Sequence, residues 1–135
     1  MDIDAITAEI VDAALKIHMR LGPGLLESVY EAVLTAELTR RGFLVERQKV
    51  IPFEFDGMIF EEGLKVDLLV NGVVVVELKS VKKLEPVHYK QVLTYVRLLD
   101  LRVGLLINFG APTLREGLKR VVNGYSQRSP RLRVR

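Results

Sequence analysis

Ile3, Ile6, Ile10, Ala13, Ala14, Ile17 and Leu21 recur at three- and four-residue steps, the spacing of one face of an amphipathic helix. Asp2 or Asp4 stands where a helix cap belongs. Gly22-Pro23-Gly24 then opposes any continuation. A second helix is predicted over about residues 25–41, with Leu26, Val29, Tyr30, Val33 and Glu37/Leu38 turned inward and Gly42 at a left-handed C-terminal cap. From Phe43 the pattern changes. Residues 45–55 are β-prone, with Pro52 marking an edge position or a bulge, and Asp56-Gly57 marks a turn. Residues 64–70 and 73–79 read as a hairpin joined at Asn71-Gly72. Their apolar runs do not alternate, so both faces of the sheet should be covered. A helix is expected from about Pro86 to Leu99, an apolar strand over residues 102–109, and a last helix over residues 113–123 capped by Thr113.

The order is helix, helix, three strands, helix, strand, helix, which predicts an α/β sandwich of helices on a sheet. At 135 residues one domain is expected, over residues 1–124, followed by a loose tail at 125–135. Charge is uneven: residues 115–135 hold seven Lys/Arg and one acid, while the remainder is mildly acidic. A basic tail fits a polyanion partner and equally fits a solvated end that aids solubility. There is no cysteine, which excludes disulfides and thiolate metal sites. No stretch is long and apolar enough to span a bilayer, and the acidic Met-Asp-Ile-Asp start lacks the features of a secretory signal. A soluble cytoplasmic protein is expected, and the oligomeric state stays open, a homodimer included.

Val76-Glu77-Leu78-Lys79 ends an otherwise apolar strand. Alternation projects Glu77 and Lys79 from one side, where either would be costly to bury without partners. A strand end reaching solvent with a weak ion pair explains the same pattern. Asp67 on the preceding strand, between Val66 and Leu68, adds weight to a functional reading. Geometry restricts that reading. A two-residue Asn71-Gly72 loop would set Asp67 opposite Val76, pointing away from Glu77. A three-residue loop, Val70-Asn71-Gly72, would pair Leu69 with Val73 and bring Asp67 to the face of Glu77 and Lys79; a bend elsewhere would also serve. Two carboxylates and a lysine converging there suit a hard divalent ion, Mg²⁺ above others. Such an ion polarises a phosphoryl group and lowers the pKa of an attacking water. Lys79 would hold that water or balance charge on the phosphate.

Glu27 lies at the margin of the second helix's apolar stripe, either reaching outward or set near a polar centre. Gln91 and Tyr95 share a helix face at i, i+4 and could hold a phosphate or a water network; a core tyrosine beside a surface amide explains them too.

Gly24-Leu25-Leu26-Glu27-Ser28-Val29-Tyr30 resembles the Gly-x-x-Glu-x-x-Tyr signature of the GxxExxY family, a branch of the PD-(D/E)XK nucleases. The resemblance continues through residues 18–24, Val66-Asp67, Glu77-Leu78-Lys79 and the Gln-x-x-x-Tyr pattern from Gln91 to Tyr95. Val66 stands where the superfamily's name has proline. The resemblance implies a restriction-endonuclease-like αβββαβ core with a mixed sheet, a Mg²⁺ site (Mn²⁺ as an alternative) and phosphodiester hydrolysis, of DNA in preference to RNA. It implies Asp67 and Glu77 as metal ligands, Lys79 as the catalytic lysine, and Glu27 as a helical acid supporting the metal directly or through water. Gln91 and Tyr95 would orient the scissile phosphate. Tyr30 and His18 are expected to pack. Nucleic acid would be gripped by the Arg-rich tail with Lys82, Lys83 and Lys90. The rival expectation is a non-catalytic module binding nucleic acid or protein on the same fold.

Overall fold

Asp2 accepts the Ala5 N–H at 2.7 Å and starts helix α1, Ile3–Leu21. In this computed structural model, residues 1–124 and the backbone of residues 132–134 are described. Helix α2, Glu27–Arg40, ends where Gly42 takes a φ of 94° and the Phe43 N–H returns to the Leu38 carbonyl at 3.0 Å. Arg41 then ties the two helices together, reaching Glu37 at 2.8 Å and both Glu9 and Asp12 at 3.0 Å.

The strands are β1 (Val45–Phe55), β2 (Met58–Val70), β3 (Val74–Lys79), β4 (Val103–Asn108), β5 (Leu118–Val122) and β6 (Leu132–Val134), with α3 (Pro86–Leu98) crossing from β3 to β4. They form one sheet in the order β5-β4-β3-β2-β1-β6, mixed because β3 and β4 run parallel while the other pairs are antiparallel. Two cores follow from the unalternating apolar runs. On one face Ile6, Ile10, Ala14, Tyr30, Leu34 and Leu38 pack on Leu68, Val76, Leu78, Leu105 and Ile107. On the other, Val92 and Val96 of α3 pack on Val66, Val75, Leu106 and Val121. Each fully buried aliphatic side chain contributes roughly 1.5–3 kcal/mol. A Cβ on Gly104 would lie 2.7 Å from Val92 Cγ1, so the missing side chain in β4 is what lets α3 settle. The α/β sandwich and its element order are as expected up to β4.

Four details differ from the pattern-based expectation. The buried side of α2 is Tyr30, Glu31, Leu34 and Leu38, while Leu26, Val29 and Val33 are exposed. Apolar residues cover most of the circumference of this helix, so periodicity does not fix its face. β2 begins at Met58, six residues earlier than expected, because Asp56-Gly57 makes a tight turn and the outer hairpin pairs Phe53 with Phe60. The register shifts between Ile51 and Phe53, the interruption that Pro52 foretold. The last predicted helix is a single turn, α4 (Leu114–Gly117), capped by Thr113 and followed directly by β5. A Cβ on Gly117 would come 2.2 Å from the Asn108 carbonyl, so glycine lets the chain press on the end of β4 and Val121 enter the sheet.

The fourth difference is the β2–β3 loop. Val70 pairs with Val74, leaving a three-residue loop, Asn71-Gly72-Val73, one residue later than expected. Asn71 and Gly72 both adopt positive φ, and Asn71 Oδ1 accepts the Leu44 N–H at 2.8 Å. Of the basic tail at 125–135, only the backbone of β6 falls within the described residues, as a strand on the outer edge of β1.

Candidate metal and phosphodiester site

β2 and β3 pair only through Leu68↔Val76, Leu69↔Val75 and Val70↔Val74. The next pair in that register is Asp67 opposite Glu77, and here side chains replace the ladder. The Asp67 N–H donates to Glu77 Oε2 at 2.6 Å, and the Leu78 N–H donates to Asp67 Oδ2 at 2.8 Å. The two carboxylates are thus interlocked across a gap between strands. β2 also turns over at this point, since Leu68 joins the core under α1 and α2 whereas Val66 joins the one under α3. A regular strand would put both on one face.

Electrostatics mark the gap as short of positive charge. Glu77 is 4% exposed, and burial, then the neighbouring Asp67 charge, pushes its carboxyl up to about 8. Burial also raises Asp67, opposed by hydrogen bonds from the Leu78 N–H and Gln48. The Lys79 ammonium pulls both carboxyls downward, and Glu31 pushes both up. Tyr95 is raised too, first by burial and next by Glu77, so the phenol lies within the field of the same centre.

The segment after Lys79 is clamped. Asn108 Oδ1 accepts the Val81 N–H at 2.9 Å and its Nδ2 donates to the Val81 carbonyl at 2.9 Å. Gly110 packs so closely on Val81 that a Cβ would sit 2.3 Å from its carbonyl oxygen. Ser80 Oγ donates to the Leu25 carbonyl at 2.5 Å, and the Ser80 N–H reaches Glu27 Oε2 at 3.4 Å. A cleft opens here between residues 23–28, residues 80–82 and Gly110.

A family model of the PD-(D/E)XK nuclease superfamily matches residues 4–121. The chain belongs to the PD-(D/E)XK nuclease superfamily. Neither a search of curated proteins nor one of solved structures found a match. Nucleases of this superfamily act on nucleic acid and generally use divalent metals. The donor set of this PD-(D/E)XK chain fits such an ion. Two oxygen-bearing acids that repel one another in a half-buried gap gain from a divalent cation, and Mg²⁺ binds readily to one or two carboxylates while keeping its waters. Among the described residues no three His, Cys, Asp or Glu side chains cluster as a metal cage. No helix among them is long and apolar enough to cross a membrane.

The other residues singled out from the sequence lie around the pair. Gln91 Nε2 donates to Tyr95 Oη at 2.9 Å, joining both to one unit on α3. Glu27 is exposed at the start of α2, where it accepts the Ser80 N–H and no hydrogen bond from the Asp67–Glu77 pair. Tyr30 is fully buried, stacks on Phe109 with centroids 4.4 Å apart, donates to the Gly22 carbonyl at 2.6 Å and accepts the Leu25 N–H at 3.2 Å. It latches the loop before Glu27. His18 is 6% exposed and meets the Ala111 carbonyl at 2.9 Å, a packing role.

Sequence reasoning missed Glu31, Gln48 and Asn108. Glu31 is 8% exposed, one turn beyond Glu27, and pairs with Arg47 at 3.1 Å. Its position i+4 from Glu27 was the only available signal, and the misplaced face of α2 concealed it.

Proposed function

We propose that this chain is a Mg²⁺-dependent nuclease of the GxxExxY branch, cleaving DNA in preference to RNA in the cytoplasm. The reading is carried by the interlocked Asp67–Glu77 pair, with Lys79 in its field. Asp67 and Glu77 would hold the ion. When bound, Mg²⁺ supplies Lewis-acid polarisation of a phosphate oxygen and a water of lowered pKa. Lys79 would hold the attacking water or balance the negative charge that grows on the phosphate oxygens. Gln91 and Tyr95, already joined, offer an amide and a phenol for orienting the scissile phosphate. Glu27 supports the centre from the Ser80 side, through water. The branch assignment is supported by Gly24, whose φ of 107° favours glycine, and by the Tyr30 latch that follows it.

Purified protein should cleave DNA with Mg²⁺ or Mn²⁺ and lose the activity with EDTA. Glu77→Ala and Lys79→Ala should each lose at least about a hundredfold in rate while keeping the native circular dichroism spectrum. Cleavage at the wild-type rate by those variants would mark a contaminating enzyme. A chain that binds DNA with steep salt dependence, unaffected by Asp67→Ala and without metal-dependent product, would be a binding module instead.

A further inference from the structure

Gln48 occupies the position in β1 that faces Asp67, between the pairs Arg47↔Leu68 and Lys49↔Val66. It breaks the strand's conformation, with a φ of 48°. Left-handed backbone is unfavourable for a residue with a Cβ, and it persists where surrounding contacts impose it. Here the contacts are two acids. Gln48 Nε2 donates to Glu31 Oε1 at 2.5 Å and to Asp67 Oδ1 at 3.3 Å. Glu31 is itself fixed, buried in α2 with Arg47 on its other oxygen at 3.1–3.2 Å.

We propose that Gln48 is a positioning residue for Asp67, braced from behind by the buried Glu31. The inference rests on the metal-site reading above. With Oδ2 held by the Leu78 N–H and Oδ1 by Gln48, both Asp67 oxygens have a fixed direction before any cation arrives. The chemistry of the side chain matters. A primary amide has two N–H groups, so one glutamine can serve two carboxylates at once. Being neutral, it orients Asp67 without cancelling the negative charge a cation needs. Lysine at this position would neutralise Asp67, and glutamate would add a third repelling acid. The left-handed backbone is what turns the amide toward both partners, so strain is spent where the site is organised.

Replacement of Gln48 by glycine separates site from fold. Glycine takes a φ of 48° without steric cost, which offsets the loss of the amide's two hydrogen bonds, so Gln48→Gly should stay folded and melt close to wild type in metal-free buffer. Its Mg²⁺ affinity, read by titration calorimetry on the full chain, should nevertheless fall about tenfold, the usual loss when a residue behind a metal ligand is removed. Glu31→Gln, which keeps an acceptor for the amide, should shift affinity in the same direction by less. If wild type and Gln48→Gly bind Mg²⁺ equally, the positioning role is wrong while the metal site stands. If wild type takes up no Mg²⁺ or Mn²⁺, or Glu77→Ala binds as well as wild type, the metal-site reading falls and this inference with it.

Discussion

β3 has two edges that are built differently. Toward β4 it pairs along its whole length, from Val74↔Val103 to Lys79↔Asn108. Toward β2 it pairs for three residues and then exchanges backbone partners for carboxylates. The same strand is therefore a structural beam on one side and a site on the other. The regular edge has its polar backbone groups satisfied by a continuous ladder, and the apolar side chains of the strand enter two cores. The interrupted edge frees two acids and satisfies backbone N–H groups with them. Stability and chemistry are divided across one strand, and substitutions on the two edges should act in opposite directions.

The largest effect belongs to the regular edge. Leu105 in β4 is 2% exposed and packs in the core beneath α1 and α2. Leu105→Ala should cost roughly 2–5 kcal/mol, as buried leucine truncations do, measured as a lower urea midpoint with an unchanged slope. A loss under about 1 kcal/mol would mean that this edge is not the beam described.

The interrupted edge should respond with the opposite sign. Glu77 has a carboxyl pushed up to about 8 from an ordinary 4.5, so the native state holds a proton that the unfolded chain has released. Metal-free stability is then highest below about pH 4.5 as far as this group is concerned, falls as pH rises through the window to about 8, and levels off above it. Glu77→Gln keeps an acceptor for the Asp67 N–H and removes the charge. It should gain roughly 1–4 kcal/mol on the alkaline side of that window and flatten the pH dependence, while losing Mg²⁺ uptake. Denaturation curves at several pH values check this; a wild type whose stability rises across the window would reverse the sign and deny the frustrated pair.

Legibility in the sequence followed the same division. The beam was readable because Val74, Val75 and Val76 cannot all be buried unless both faces are covered. The shared face of Asp67 and Glu77 was legible only as a condition: a two-residue Asn71-Gly72 loop separates them, whereas either placement of a three-residue loop gives the same parity, so the one-residue error in the loop left that conditional face unchanged. Tertiary contacts were not readable. Thr113 does cap a helical turn, but the local signal could not reveal that Gly117 lies against the Asn108 carbonyl and that Val121 belongs in the sheet. Gln48 sits in a β-prone run with nothing in its neighbours to announce a left-handed backbone. Glu31 was hidden because the apolar stripe of α2 is too broad to mark its inward face, and only packing selects Tyr30, Leu34 and Leu38 beside it.

The smallest effect tests whether the site ends at the β2–β3 gap or extends to the loop before α2. Tyr30→Phe keeps the ring stacked on Phe109 but deletes the hydroxyl that joins the Gly22 carbonyl to the Leu25 N–H. The loss should be about 1 kcal/mol, the net worth of such hydrogen bonds, seen as a small drop in the urea midpoint. Leu25 and Glu27 meet Ser80 just beyond the end of β3, so a loosened latch frees this loop without touching Asp67 or Glu77. Mg²⁺ affinity should stay at the wild-type value if the two interlocked acids are sufficient to hold the ion. A marked fall would mean that Glu27 holds the ion more directly than through water, and the working edge of β3 would then reach from Asp67 across to the first turn of α2.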